Sequence, residues 1–176
     1  GAEVQNQKTK KMIAIPTPEI KQIIKVLSKT GLRISELLTV RHSDIELIKG
    51  MYNLSVRGKG NKERIVYLDK ETYKETNTIF GGKYYLCEFG TGKEYSDIEH
   101  RKIYKFVFDS IRKASKAILG RSDIHPHSFR HYVANDFLNI KKLDLKAVSQ
   151  YLGHASTDTT TKFYQQSKLK PGDIFK

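Results

Sequence analysis

The sequence lacks several features that are typical of particular classes of protein. It has a single cysteine, Cys87, so no disulfide can form within the chain, and we expect a reducing compartment. No apolar run reaches the roughly 18 residues that a membrane-spanning helix needs. The first residues show no apolar stretch typical of a secretory signal, and the chain has no internal repeat. We therefore expect neither a disulfide-stabilised secreted domain nor a membrane protein.

Acidic residues are fewer than basic ones. The chain has 32 Lys and Arg against 19 Asp and Glu, which gives a formal net charge of +13. Such an excess can be a solvated surface, or it can bind a polyanion, because neutralising phosphates releases counterions. A membrane surface would attract the same charge, but no basic amphipathic helix stands apart from the rest. The charge therefore favours a nucleic-acid partner.

The spacing of apolar residues predicts one mainly α-helical domain with a small antiparallel β-sheet, an α+β fold. Thr17 and Pro18 are typical of a helix start, and Gly31 is typical of its end. Residues 52–56 and 65–68 alternate as hairpin strands do, on either side of a Gly-rich turn. Further helices are predicted at 34–38, 96–120, 128–138, 143–151 and 157–164, with a short one inside 69–95. Residues 1–15 are expected to be a polar tail or linker, and 16–176 the folded domain.

Two segments in the first half of the chain carry side chains that could do chemistry. Arg33 lies in an otherwise apolar segment, and Glu36 follows it on the same helix face. Taken alone, this pattern is an ordinary helix ion pair. Lys59 lies in the Gly-rich turn, where a charged side chain is ordinarily just solvated. Neither segment identifies a function by itself.

A third segment, His127-Ser-Phe-Arg130-His131, places two histidines and an arginine on one helix face. A metal site built from His125, His127 and His131 is one interpretation. Against it, an arginine lies among them, and no cysteine or acidic ligand is near in the sequence. We therefore expect no metal here and a structural role for His131.

The last segment is Leu152-Gly-His154, followed ten residues later by Tyr164. A single histidine after a helix is usually only part of its cap. Two other tyrosines lie near these segments and must be distinguished from Tyr164. We expect Tyr151 to pack within its helix, and Tyr132 to lie in the core or behind the site residues.

Together, the segments resemble the tyrosine recombinase (integrase) family in identity, order and spacing, over roughly residues 16–166. The matching boxes are Thr-Gly-Leu-Arg33-Ile-Ser-Glu-Leu, Gly-Lys59-Gly-Asn-Lys-Glu-Arg, His127-Ser-Phe-Arg130-His, Leu-Gly-His154 and Tyr164. Three departures are visible. The run before Arg33 is shorter than in most relatives, the stretch after Tyr164 is short, and the family's N-terminal DNA-clamping domain is absent. We therefore expect an excised catalytic domain.

The resemblance implies a covalent reaction on DNA. Tyr164 would attack a phosphodiester, store the bond as a 3′-phosphotyrosine and release a 5′-hydroxyl. Arg33 and Arg130 would hold the non-bridging oxygens with planar forked donors, a task that metals perform in other enzymes. His154 would add a further donor.

The resemblance also assigns the proton transfers. Lys59 would protonate the leaving 5′-oxygen, and His127 would accept the proton of the tyrosine hydroxyl. Arg57, Lys62 and Arg64 lie in the hairpin, where they would meet DNA phosphates. Glu36 is expected to brace its neighbours.

By the same resemblance, the partner is double-stranded DNA at attachment sites, and the function is site-specific recombination or integration, typical of mobile genetic elements. No metal, ATP or other cofactor is expected. A full-length protein would act as a homotetramer on DNA in the prokaryotic cytoplasm, associated with the nucleoid, whereas the isolated domain would be monomeric. Three alternatives remain: a type IB topoisomerase or telomere resolvase with the same chemistry, a non-catalytic DNA-binding module, and a metal nuclease.

Overall fold

The computed structural model describes residues 3–5, 12–14, 16–58, 63–90, 92–121 and 123–153, the first two ranges as backbone. Helices dominate these residues, together with a three-stranded antiparallel sheet. The predicted fold class is confirmed. The helix predicted at 157–164 lies outside the described residues.

Within the described ranges, six α-helices form where the sequence provides starts and stops. Pro18 opens the first, and the side chains of Asp69, Ser96 and Asp144 each accept a backbone N–H at the start of a later helix. The helices are α1 (Pro18–Thr30), α2 (Ile34–Leu37), α3 (Lys70–Phe80), α4 (Asp97–Leu119), α5 (Pro126–Asn135) and α6 (Leu145–Leu152). A π-helical turn, Asp136–Ile140, follows α5.

The part of the chain that the structure describes also contains five strands in two separate antiparallel sheets: β1 (Glu3–Gln5), β2 (Met12–Ala14), β3 (Ile45–Ile48), β4 (Met51–Arg57) and β5 (Glu63–Asp69). The predicted hairpin is β4–β5, with Leu54 opposite Val66. Strand β3 was not predicted, because it is short, mostly exposed and held by its pairing with β4. The short strands β1 and β2 pair within the range expected to be a tail, and β2 lies beside α4.

The main core lies between α1, α4 and the inner face of the sheet. Ile23, Leu27, Leu54 and Ile111 are completely buried there. Burying one such side chain contributes about 1.5–3 kcal/mol relative to leaving it exposed. This core fixes β4 and β5 against the helices, so the ends of these strands at Arg57 and Glu63 have a defined place.

A second, smaller core joins α5 to α6 through Val133, Leu138, Val148 and Leu152. Gly31, at the end of α1, touches this cluster. A Cβ on Gly31 would lie 2.7 Å from Leu152 Cδ2, and the residue's φ of +66° is itself unfavourable for other side chains. Glycine therefore lets α1 end directly against α5 and α6. This close approach brings the end of α1 next to α5 and the end of α6.

Candidate active site

Arg33 lies just before α2, where its backbone N–H donates to Glu36 Oε2 at 2.8 Å. Its Nη1 donates to Glu36 Oε1 at 2.8 Å, and its Nη2 donates to the carbonyl of Gly153 at 3.3 Å. The first contact is the ion pair that the spacing predicts. The second connects Arg33 to the end of α6, far along the chain.

Arg130, on α5, reaches the same turn from another side. It is 7% exposed, which is low for an arginine. Its Nη1 donates to the carbonyl of Gly31 at 2.9 Å, and its Nη2 donates to the carbonyl of Leu152. Arg33 and Arg130 therefore bind the consecutive carbonyls of Gly153 and Leu152. The fold brings these two sequence-predicted residues together.

The two guanidinium groups also affect each other electrostatically. Burial, with the positive charge of Arg33 added to it, lowers the pKa of Arg130 to about 9. Arg130 therefore remains charged at neutral pH, but at an energetic cost. An anion bound between the two arginines would offset that cost, because it favours their charged forms.

His127 belongs to the same cluster. It lies in the first turn of α5 and is exposed to solvent. Partial burial of the ring, then the nearby charges of His125, Arg130 and Arg33, lower the pKa of His127. A neutral imidazole at pH 7 can accept a proton. The ring of His125 lies 5.8 Å from that of His127, centroid to centroid, and stacks on Phe108.

Arg64 has partners that the sequence analysis did not anticipate. It lies on the inner face of β5, with its side chain only 10% exposed. Its Nη1 and Nη2 donate to the two carboxylate oxygens of Glu36 at 3.0 and 2.8 Å, and its Nε donates to the carbonyl of Tyr151 at 2.8 Å. A phosphate contact by Arg64 stays a prediction, one that these bonds do not favour. Strand alternation with Val66 was the available signal that Arg64 points inward.

Glu36 is the acceptor that joins two of these arginines. Its side chain is 5% exposed. Burial alone would raise the pKa of Glu36, but the hydrogen bonds from Arg64 and from the backbone of Arg33 outweigh that effect and lower it. Glu36 is therefore a buried carboxylate at neutral pH. The expected bracing role agrees with these contacts.

Arg57, unlike Arg64, is an exposed residue of the hairpin. Its side chain is 74% exposed and pairs with Glu63 at 2.8 Å. Arg57 and Gly58 line an open groove of about 490 Å³ together with Arg33 and Glu36. The DNA contact predicted for Arg57 stays a prediction. The other predicted site residues, Lys59, Lys62, His154 and Tyr164, lie outside the described residues.

The two tyrosines near the site, Tyr151 and Tyr132, differ in burial. Tyr151 packs against Phe137, with ring centroids 5.4 Å apart, and its hydroxyl accepts the backbone N–H of Tyr67 at 3.4 Å. Burial raises the pKa of Tyr151. The expected packing role is confirmed. The expectation for Tyr132 is wrong, since its side chain is 62% exposed. On α5 the buried side is occupied by Arg130 and Val133, so Tyr132 points outward.

Among the described residues, no group of three or more histidine, cysteine, aspartate or glutamate side chains is placed to hold a metal ion. Within those residues, no helix is both long enough and apolar enough to cross a bilayer.

Comparison with known proteins places this geometry in a family. The model of the phage integrase family matches residues 4–170. The chain belongs to the phage integrase family. Among curated proteins, it is similar to a tyrosine recombinase of Agathobacter rectalis, with 31% identity over 86% of this chain and 49% of the relative. It is also similar to the XerD tyrosine recombinase of Staphylococcus saprophyticus, with 34% identity over 83% of this chain and 50% of the relative. This phage integrase chain therefore spans about half the length of the curated relatives it matches.

Solved structures give the same answer for the fold. XerH site-specific recombinase, bound to palindromic difH substrate in a post-cleavage complex, superposes with a TM-score of 0.66. The match has 25% identity and covers 86% of this chain and 43% of XerH. A lambda integrase dimer bound to a COC′ core site matches with a TM-score of 0.62 at 20% identity, over 81% of this chain and 52% of that one. The phage integrase chain thus has the fold of these tyrosine recombinases.

Proposed function

We propose that this domain cleaves and rejoins double-stranded DNA during site-specific recombination, through a covalent 3′-phosphotyrosyl intermediate on Tyr164, without metal or ATP. One observation carries the proposal. Arg33 and Arg130, from separate parts of the chain, converge on the carbonyls of Gly153 and Leu152, directly before His154. Two positive charges that meet at one turn would favour the binding of one phosphate group.

The arginine pair would stabilise the transition state. As the tyrosine oxygen attacks phosphorus, negative charge builds up on the two non-bridging oxygens. Arg33 and Arg130 are positioned before the reaction by Glu36 and by backbone carbonyls, so little reorganisation is needed when that charge develops. His154 would complete the set as a third donor.

The remaining groups would handle the protons. The Tyr164 oxygen forms a bond to phosphorus while the bond from phosphorus to the 5′-oxygen breaks. The proton of the tyrosine hydroxyl passes to His127, whose lowered pKa leaves it neutral and able to accept. Lys59 gives a proton to the departing 5′-oxygen. Running the same steps backwards with another 5′-hydroxyl reseals the strand, so no external energy source is needed.

The partner would be duplex DNA containing an attachment site. The net charge of +13 favours phosphate binding, and similar proteins of known structure are bound to difH and to a COC′ core site. We propose that the full-length protein assembles as a homotetramer on DNA in the prokaryotic cytoplasm, associated with the nucleoid. The isolated domain would be monomeric. Arg57 and Lys62 would contact phosphates beside the hairpin.

A trapping experiment tests the reaction without knowledge of the attachment site. The 176-residue chain is incubated with a library of nicked duplexes whose core sequence is randomised. Because of the nick, cleavage releases a short fragment that is lost and cannot be religated. Covalent complexes are separated under denaturing conditions, and the trapped DNA is sequenced. The chain should form adducts with a restricted set of sequences in the presence of EDTA and without ATP. Tyr164→Phe should bind the selected duplex but form none.

Two results would contradict the proposal. An undiminished adduct with Tyr164→Phe would exclude Tyr164 as the nucleophile. Adducts or cleavage products that form only with added Mg²⁺ or Zn²⁺ would exclude the metal-free reaction and favour a nuclease.

A further inference from the structure

A third arginine shares the turn that ends α6. Tyr151, Leu152 and Gly153 are consecutive residues, and each of their carbonyls accepts a hydrogen bond from a different arginine. The donors are Arg64 to Tyr151, Arg130 to Leu152 and Arg33 to Gly153. Carbonyls at a helix C-terminus have no partners within the helix and carry partial negative charge. Three cations therefore fix the backbone that leads directly into His154.

Arg64 differs from the other two arginines in what else it holds. Its Nη1 and Nη2 bind both oxygens of Glu36, and Glu36 in turn binds Arg33. Arg64 itself belongs to β5 and lies five residues after Lys59 in the sequence. One planar side chain therefore joins three segments: the hairpin, the Arg33–Glu36 turn and the end of α6.

Tight packing leaves Arg64 little freedom to move. Gly153 adopts a φ of +66°, and a Cβ at this position would lie 3.0 Å from Arg64 Nη1 and 3.1 Å from Arg64 Cζ. A larger residue here would push the guanidinium group away by a few tenths of an ångström, and glycine also favours the left-handed conformation that ends α6. The guanidinium uses Nε, Nη1 and Nη2 inside the protein, and its side chain is 10% exposed.

We propose that Arg64 is a positioning residue for the reaction proposed above. Arg64 aligns Arg33 and the end of α6, which precedes His154, with the hairpin that carries Lys59. It acts through Glu36 and the Tyr151 carbonyl and does not touch DNA. The proposal rests on the proposed function. It differs from a phosphate-binding role, in which Arg64 would hold DNA in the bound complex and in which any cation at this position would serve.

The test separates the rate of the chemical step from the affinity for DNA. Arg64→Gln and Arg64→Lys are compared with the unchanged chain on the duplex most enriched in the trapping experiment. The affinity for DNA is measured by titration. The first-order rate of adduct formation is measured at saturating protein concentration. Both variants should react about 10²-fold more slowly, since displacement of a supporting group by about 1 Å can reduce rates by that factor. Their dissociation constants should match that of the unchanged chain. Lysine should rescue poorly, because it lacks the planar fork that reaches Glu36 and Tyr151 together.

Arg41→Gln provides the matched control. Arg41 also forms a two-pronged pair with a glutamate, Glu94, at 2.6 and 3.3 Å, but on the surface, where the side chains are 44% and 53% exposed. This variant removes the same charge and should leave rate and affinity unchanged. If Arg64→Gln fails to fold, Arg64→Lys, which keeps the buried positive charge that Glu36 requires, decides the question.

The outcomes are distinct. Weaker DNA binding by Arg64→Gln, restored in Arg64→Lys, would show a phosphate contact and overturn the proposal. Unchanged rates in both variants would also overturn it and would leave the proposed function intact. A failure of the unchanged chain to form any adduct would instead contradict the proposed function.

Discussion

Removing the charge of Glu36 tests the buried ion-pair network quantitatively. Glu36→Gln keeps the size and shape of the side chain but leaves Arg64, which is 10% exposed, without a negative partner. Breaking a buried pair on one side reduces stability by about 3–5 kcal/mol, because the remaining charge is buried without compensation. With a slope of about 1–3 kcal/mol per molar urea for small proteins, the unfolding midpoint should fall by at least about 1 M.

A surface pair supplies the comparison for this measurement. Glu94→Gln removes the same charge from a carboxylate that also meets an arginine in two-pronged geometry, but at 53% exposure. Exposed pairs contribute only about 0–1 kcal/mol, so its midpoint should shift little. Both variants are unfolded in urea and followed by far-ultraviolet circular dichroism, since the chain has no tryptophan. Equal losses for the two variants would refute the argument that burial makes the Glu36 network important.

Three further predictions follow from the charges of the domain. Arg33→Ala and Arg130→Ala should each slow adduct formation by about 10²-fold or more, with poor rescue by lysine; a fast Arg130→Lys variant would limit Arg130 to holding the fold. Folding lowers the pKa values of His127 and His131, so the unfolded chain binds more protons, and the free energy of unfolding should fall as the pH drops below 6.5. A free energy of unfolding, measured in urea, that is the same above and below pH 6.5 would contradict this. Because the chain carries +13, its affinity for a duplex should fall steeply with salt in a titration, and a salt-independent affinity would exclude phosphate contacts as the main attraction.

Local signals predicted most of the fold. A proline at the start of α1 and a glycine after its end give that helix both boundaries, and the β4–β5 hairpin follows from alternation around a Gly-rich turn. Strand β3 could not be predicted in the same way. It is exposed along most of its length and forms because β4 offers it a pairing edge, which is a tertiary effect.

The site was predictable only in part. The motifs select Arg33 and Arg130 by order and spacing, and the structure brings both to the end of α6. Their acceptors are backbone carbonyls, which have no sequence signature, so the contacts themselves could not be inferred. The sequence analysis grouped Arg64 with Arg57 and Lys62 as hairpin residues that would meet DNA phosphates. Its partner Glu36 lies on another element, and only the fold reveals that the two meet.

The central claim is that Tyr164 attacks DNA, and mass spectrometry of the trapped complex tests it most directly. Adducts formed by the unchanged chain in EDTA are digested with nuclease and protease, and the modified peptide is fragmented to locate the nucleotide mass. A 3′-phosphonucleotide is expected on the tyrosine oxygen of Tyr164. A nucleotide on Tyr151 or Tyr132, or on a residue other than tyrosine, would contradict it.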